Sequence, residues 1–235
     1  MLGLRKLVIA TRNPGKAREV AEILEGMPYE IVSLADYPDA PDVEETGSTF
    51  AENAAIKARA YADFTGELTL ADDSGLEVDA LDGAPGVFSS RFAPTDAERI
   101  SKLLDLMRNV PDDKRAARFR CAVAIAEPSA ALVGPGHHVP DHHLKPVGPG
   151  YAENVGPGYA QDVGPGYVIP APLITREGKI EGTIAHFPKG SNGFGYDPVF
   201  YVPELGKHFA ELTADEKNAI SHRGKALREA RKALG

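Results

Sequence analysis

Residues 116–126, Ala-Ala-Arg-Phe-Arg-Cys-Ala-Val-Ala-Ile-Ala, become steadily more apolar and β-branched along their length. A strand of that composition belongs in the middle of a sheet, because a strand covered on both faces needs no polar side. Leu7–Ala10, Ile31–Leu34 and Leu68–Ala71 are further short strand candidates. Between them lie amphipathic helical stretches: one carries Val20, Ile23 and Leu24 on a single face, and another, running to about Phe64, carries Ala54, Ala58 and Tyr61. Thr49-x-x-Glu52 and Thr213-x-x-Glu216 are capping boxes that open helices. A helix from about Asp96 to Asn109 turns Ile100, Leu103, Leu104 and Met107 inward, and Pro111 ends it. Val78 to Val87 reads as a strand followed by a Gly/Pro turn, and Leu173–Thr175 with Ile180–Ala185 reads as a hairpin about Arg176–Lys179. The chain restarts at Ser221–Gly224 into a last helix whose Leu227, Ala230 and Leu234 face a core.

At 235 residues and 43% hydrophobic content, the chain can bury a full core as one large domain or as two lobes. Its one cysteine, Cys121, excludes an intrachain disulfide and fits a reducing compartment. Neither a signal-peptide core at the N-terminus nor an apolar run approaching ~18 residues is found, so a cytoplasmic protein without a membrane anchor is the expectation. A net charge of −8 argues against general nucleic-acid binding, which depends on neutralising many phosphates. It leaves room for a compact polyphosphate, because the field in a cleft depends on a few local cations.

Chemistry concentrates in a few places. Leu68–Ala71 reads as a strand that ends where Asp72-Asp73-Ser74-Gly75 begins. If the strand persists that far, the two acids point in opposite directions. A carboxylate at a strand end followed by glycine suits a Mg²⁺ and phosphate site, although the same four residues also make a good turn. Thr11-Arg12-Asn13-Pro14-Gly15-Lys16 joins a strand to a helix start, a geometry that attracts anions or simply caps a helix through Asn13. Glu44 and Glu45 precede a helix on which Asn53 and Lys57 share a face; the acids serve either the helix dipole or a metal. In Lys189–Pro198, glycines interleave with Phe194 and Tyr196, which either stack on a flat ring or belong to the core.

Residues 129–172 differ in character. Val-Gly-Pro-Gly recurs at Val133, Val147, Val155 and Val163, and His137, His138, His142 and His143 also fall here. Gly-Pro repeats propagate neither helix nor central strand, so this segment is expected to be a surface insertion within a single 1–235 domain.

The order of these motifs is more specific than any one of them. Thr11–Lys16, Glu44–Gly47, Glu52–Ala58, Ala71–Leu76, Gly193–Pro198 and Ile220–Gly224 together resemble the inosine/xanthosine triphosphate pyrophosphatase family. The resemblance covers essentially all of the chain except the Gly-Pro insertion. It implies an elongated α/β fold with a long mixed sheet and an active-site cleft between two lobes, typically in a homodimer. It implies Mg²⁺-dependent hydrolysis of deaminated purine triphosphates such as dITP, ITP and XTP to monophosphate and pyrophosphate.

By resemblance, Asp73 is the water-activating base or metal carboxylate, with Glu44 the partner ligand and Lys57 the accompanying charge. Glu45 and Asp72 are neighbours left unranked. Thr11, Asn13, Lys16 and Ser74 would cradle the triphosphate and Arg223 would add charge. Phe194, with Gly195, would stack on the purine, and Tyr196, Asp197, Lys217 and His222 would surround the base. Arg12 stands where many relatives have a small residue. Competing readings are a phosphatase releasing orthophosphate and a nucleotide-binding module whose His-rich insertion holds metal.

Overall fold

The computed structural model describes residues 3–131, 168–169 and 172–235. Seven strands form one sheet: β1 (Arg5–Ile9), β2 (Tyr29–Ser33), β3 (Leu68–Val78), β4 (Ala116–Ala126), β7 (Leu173–Ile184), β8 (Phe200–Val202) and β9 (Lys207–His208). Two short strands, β5 (Ala130–Ala131) and β6 (Val168–Ile169), pair antiparallel with each other apart from it. The spatial order of the sheet is β2-β1-β3-β4-β7-β8-β9. β1 runs parallel to β2 and β3, and the remaining pairs are antiparallel, so the sheet is mixed. The parallel pairs need crossovers, which α1 (Pro14–Ile23) and α2 (Phe50–Thr65) supply. The other helices are α3 (Asp96–Leu106), α4 (Ala214–Ile220) and α5 (His222–Leu234).

Side-chain alternation along β3 and β4 divides the interior. Leu68, Leu70, Cys121, Val123 and Ile125 pack with Leu7 and Ile9 against α1 and α5. Ala71, Ala122, Ala124 and Ala126 point the other way and meet Ala54 and Ala58 of α2, small residues on both sides that let the helix lie close. A third apolar cluster joins Leu76, Phe119, Phe200 and Phe209 to Leu103 and Met107 on and just after α3. The expected capping boxes form at Thr49/Glu52 and Thr213/Glu216.

Three expectations need correction. The strand does not stop at the acids: β3 continues through Asp72-Asp73-Ser74-Gly75 to Val78, because β4 pairs with it from Thr69 to Val78. No new strand starts at Val78, and the chain leaves β3 through a short 3₁₀ turn at Asp79–Leu81. Nor is there a hairpin at Arg176–Lys179, since β7 is one strand paired along the whole of β4. Gly178 serves a crossing instead of a turn: a Cβ there would lie 2.1 Å from the His222 carbonyl oxygen of α5. The expected 129–172 insertion falls largely outside the described residues, as do its four histidines; β5 and β6 stand at its edges.

Candidate active site

Because β3 stays extended, Asp72 and Asp73 face opposite layers. Asp72 points toward α1 and α5. Its Oδ2 accepts hydrogen bonds from Lys16 Nζ at 2.9 Å, Arg223 Nε at 3.2 Å and the Ser74 hydroxyl at 3.3 Å. Burial works to raise this carboxyl's pKa, but Lys16 and Arg223 outweigh it and hold the group far below the usual carboxylate range. Arg223 is itself buried; it donates to Ser74 Oγ at 2.8 Å and pairs with Glu19 of α1. Glu19 also accepts from Lys217 Nζ at 3.1 Å, and Lys217 reaches Asp197 Oδ2 at 2.6 Å. One buried carboxylate on α1 thus ties together cations from α4 and α5.

Asp73 points toward α2. Lys57 Nζ donates to its Oδ1 at 3.2 Å and Asn53 Nδ2 to its Oδ2 at 3.3 Å. Lys57 sits closer to Glu45, at 2.6 Å, and Arg91 pairs with the other Glu45 oxygen. Burial, only partly offset by Lys57 and Lys16, leaves the Asp73 pKa raised, with Glu45 and Asp72 adding to it. Glu45 differs: burial pushes its pKa up, yet Lys57 and Arg91 bring it below its ordinary value. The loop bearing Glu45 is fixed from α2, where Asn53 accepts the Gly47 N–H at 2.8 Å.

The aromatic loop closes the other end. Asp197 Oδ2 accepts the Phe194 N–H at 3.0 Å, and the Phe194 ring lies 4.8 Å from Lys217 Nζ. The ring also rests against Gly15, where a Cβ would meet it at 3.1 Å, so the glycine of the first loop makes space for this aromatic. The Tyr196 hydroxyl donates to the Ser89 carbonyl at 3.0 Å. His222 stacks on Phe119, with centroids 4.8 Å apart and planes 11° off parallel. Its Nδ1 has no partner among the described residues. Burial, together with Arg223 and Lys217, lowers its pKa well below the usual histidine range, so the ring is neutral.

These side chains line one cleft that runs from Lys16, Glu45, Lys57 and Asp73 to Phe194, Lys217, His222 and Arg223. The sequence profile of the Ham1 family matches residues 7–138 and 166–233. The chain belongs to the Ham1 family. A dITP/XTP pyrophosphatase of Desulforamulus reducens is 47% identical over 97% of this chain and 95% of its own length. The protein of the same name from Geobacter sulfurreducens is 42% identical over 95% and 94% of the two chains. The solved structure of a HAM1 protein from Coxiella burnetii superimposes with a TM-score of 0.74 at 40% identity, covering 98% of each chain.

In this Ham1 chain, all the residues given a role by resemblance line the cleft except Thr11, Asn13 and Glu44. Thr11 and Asn13 are used locally: Thr11 Oγ1 accepts the Asn13 N–H, and Asn13 Oδ1 accepts the Gly15 and Lys16 N–H groups. Glu44 is exposed, whereas Glu45 turns in to Lys57. Arg12 turns away to Asp42 and the Ala40 carbonyl, fastening the first loop to the proline-rich segment. Among the described residues no group of three or more His, Cys, Asp or Glu side chains converges as a ready metal cage. Sequence reading missed Glu19, Asp96 and Arg99. For Glu19 a signal existed, since it lies one turn from Lys16 and beside Val20 on the inward face of α1.

Proposed function

We propose that this protein hydrolyses deaminated purine nucleoside triphosphates (dITP, ITP and XTP) between the α and β phosphates, releasing the monophosphate and pyrophosphate. The observation that carries this reading is the polarity of the cleft. Two carboxylates, Asp73 and Glu45, converge on one lysine, while Lys16, Lys217 and Arg223 line the adjoining wall. The names of the relatives support the same chemistry.

The donor set fits Mg²⁺. Two hard carboxylates, with no third His, Cys, Asp or Glu converging on them among the described residues, match an ion that keeps waters and takes its remaining oxygens from substrate phosphates. Asp73 and Glu45 would hold it, and when bound it spreads the phosphate charge in the transition state. Asp73, which opens onto the cleft, would accept the proton of the attacking water. Lys57 balances the two acids, and Lys16, fixed on Asp72, presents positive charge to the phosphates. Phe194 supplies the stacking face for the purine. Lys217, whose Nζ lies 4.8 Å from the Phe194 ring, would offer a buried donor that favours a carbonyl at the purine 6-position over the amine of adenine, a mismatch that can reach ~10⁴-fold.

No helix among the described residues is long and apolar enough to cross a membrane. We take the protein to act in the cytoplasm as a nucleotide-pool enzyme. We take the working unit to be a homodimer and the 129–172 segment to be an insertion outside the catalytic machinery. Incubation with dITP and Mg²⁺ followed by product identification tests the reading. Pyrophosphate and dIMP are expected; orthophosphate would make the protein a phosphatase and overturn it.

A further inference from the structure

Asp96, the first residue of α3, is not needed to cap its helix. Thr95 and Glu98 already form a reciprocal box, with Thr95 Oγ1 accepting the Glu98 N–H at 3.2 Å and Glu98 Oε2 accepting the Thr95 N–H at 2.9 Å. The Asp96 carboxylate instead reaches across 99 residues of sequence, and its Oδ2 accepts the Gly195 N–H at 2.8 Å. Its other oxygen is held by Arg99 Nη1 at 2.6 Å. Arg99 in turn is fixed by donating through Nε to the Ala93 carbonyl at 2.8 Å. Both side chains line the same cleft as Asp73 and Lys57.

Gly195 stands between Phe194 and Tyr196. The two consecutive N–H groups of this loop are therefore each taken by a different carboxylate, Phe194 N–H by Asp197 and Gly195 N–H by Asp96. The two peptide planes that flank the Phe194 Cα are each held by one of these carboxylates, which fixes the backbone bearing the ring from both sides. We propose that Asp96 and Arg99 are positioning residues which fix the base-stacking aromatic Phe194 at the mouth of the cleft. The role rests on the proposed nucleotide chemistry, in which Phe194 meets the purine. It acts on substrate capture, because among the described residues neither side chain hydrogen-bonds or ion-pairs with Asp73, Lys57 or Glu45.

The test compares Asp96→Ala with Asp96→Asn, whose side-chain oxygen can still accept the Gly195 N–H. Asp96→Ala should raise KM for dITP about tenfold and leave kcat within about threefold, the size expected from losing one hydrogen bond to a charged acceptor. Asp96→Asn should restore KM to within about threefold of wild type. Hydrogen exchange of residues 193–197 in the substrate-free protein gives a readout independent of turnover: faster in the alanine variant, near wild type in the asparagine variant. Unchanged KM and exchange in Asp96→Ala, or equal defects in both variants, would overturn the assignment. Should the alanine variant fail to fold, Asp96→Asn and Arg99→Met decide it: slow exchange in the first with faster exchange in the second supports the pair, and no difference between them refutes it. Wild-type protein inactive on dITP would sink the nucleotide reading alone, since the exchange result stands apart from it.

Discussion

The two faces of β3 hold adjacent aspartates in opposite conditions. On the α1/α5 face Asp72 takes Lys16, Arg223 and Ser74 all on its Oδ2 and is outweighed by two cations. On the α2 face Asp73 shares one lysine with Glu45 and has a single neutral donor, Asn53. A one-residue step along a strand turns a side chain into the opposite layer, so neighbours in sequence acquire unrelated chemistry. The charge-compensated acid fixes cations in place. The under-compensated one keeps its basicity and opens onto the cleft.

The sharpest way to break this contrast is to neutralise each acid separately. Asp73→Asn should lower kcat on dITP about 10³-fold, within the range for losing a general base, with unfolding free energy changed by less than about 1 kcal/mol. Asp72→Asn should do the reverse in emphasis. Removing it takes the shared carboxylate from buried Arg223, which keeps Glu19, and from part-buried Lys16, at a cost of about 3 kcal/mol and a Tm drop of about 6–10 °C by thermal denaturation. If the two variants exchanged these phenotypes, the assignment of the faces would be wrong.

A smaller effect sharpens the α1/α5 side. Burial pushes the Glu19 pKa up, but Arg223 and Lys217 outweigh it and hold the group below its ordinary value. A carboxylate depressed on folding stabilises above the unfolded pKa, about 4.3, and loses that contribution as pH falls through and below it. Glu19→Gln should therefore be about 2 kcal/mol less stable than wild type at pH 7 in urea titrations. The gap should narrow on acidification below about pH 4. A gap that widened in acid would contradict the ion cluster.

The features legible in the sequence were local. Capping boxes at Thr49 and Thr213 are complete within four residues, and the apolar course of Ala116–Ala126 identifies a central strand without reference to its partners. The features that escaped depended on pairing and placement. Asp72-Asp73-Ser74-Gly75 and Glu177-Gly178 have turn composition, yet β4 holds both segments extended through long antiparallel ladders. The site followed the same division. Motif order picked out Asp73, Lys57 and Arg223, which the fold brings to one cleft, whereas which of Glu44 and Glu45 turns inward depends on a loop held through Gly47 and Asn53. Asp96 gave no signal because its partner lies 99 residues away at Gly195, while Arg99 bonds locally to Asp96 and the Ala93 carbonyl, as any helix-start pair would.

The contrast between the two aspartates can be read directly by carbon-detected NMR titration of the carboxyl groups in metal-free protein. Asp72 should remain ionised throughout the pH range in which the protein stays folded, and Asp73 should titrate above the ordinary aspartate value of about 3.9. Asp73 titrating at or below that value, or both carboxyls moving together, would contradict the account.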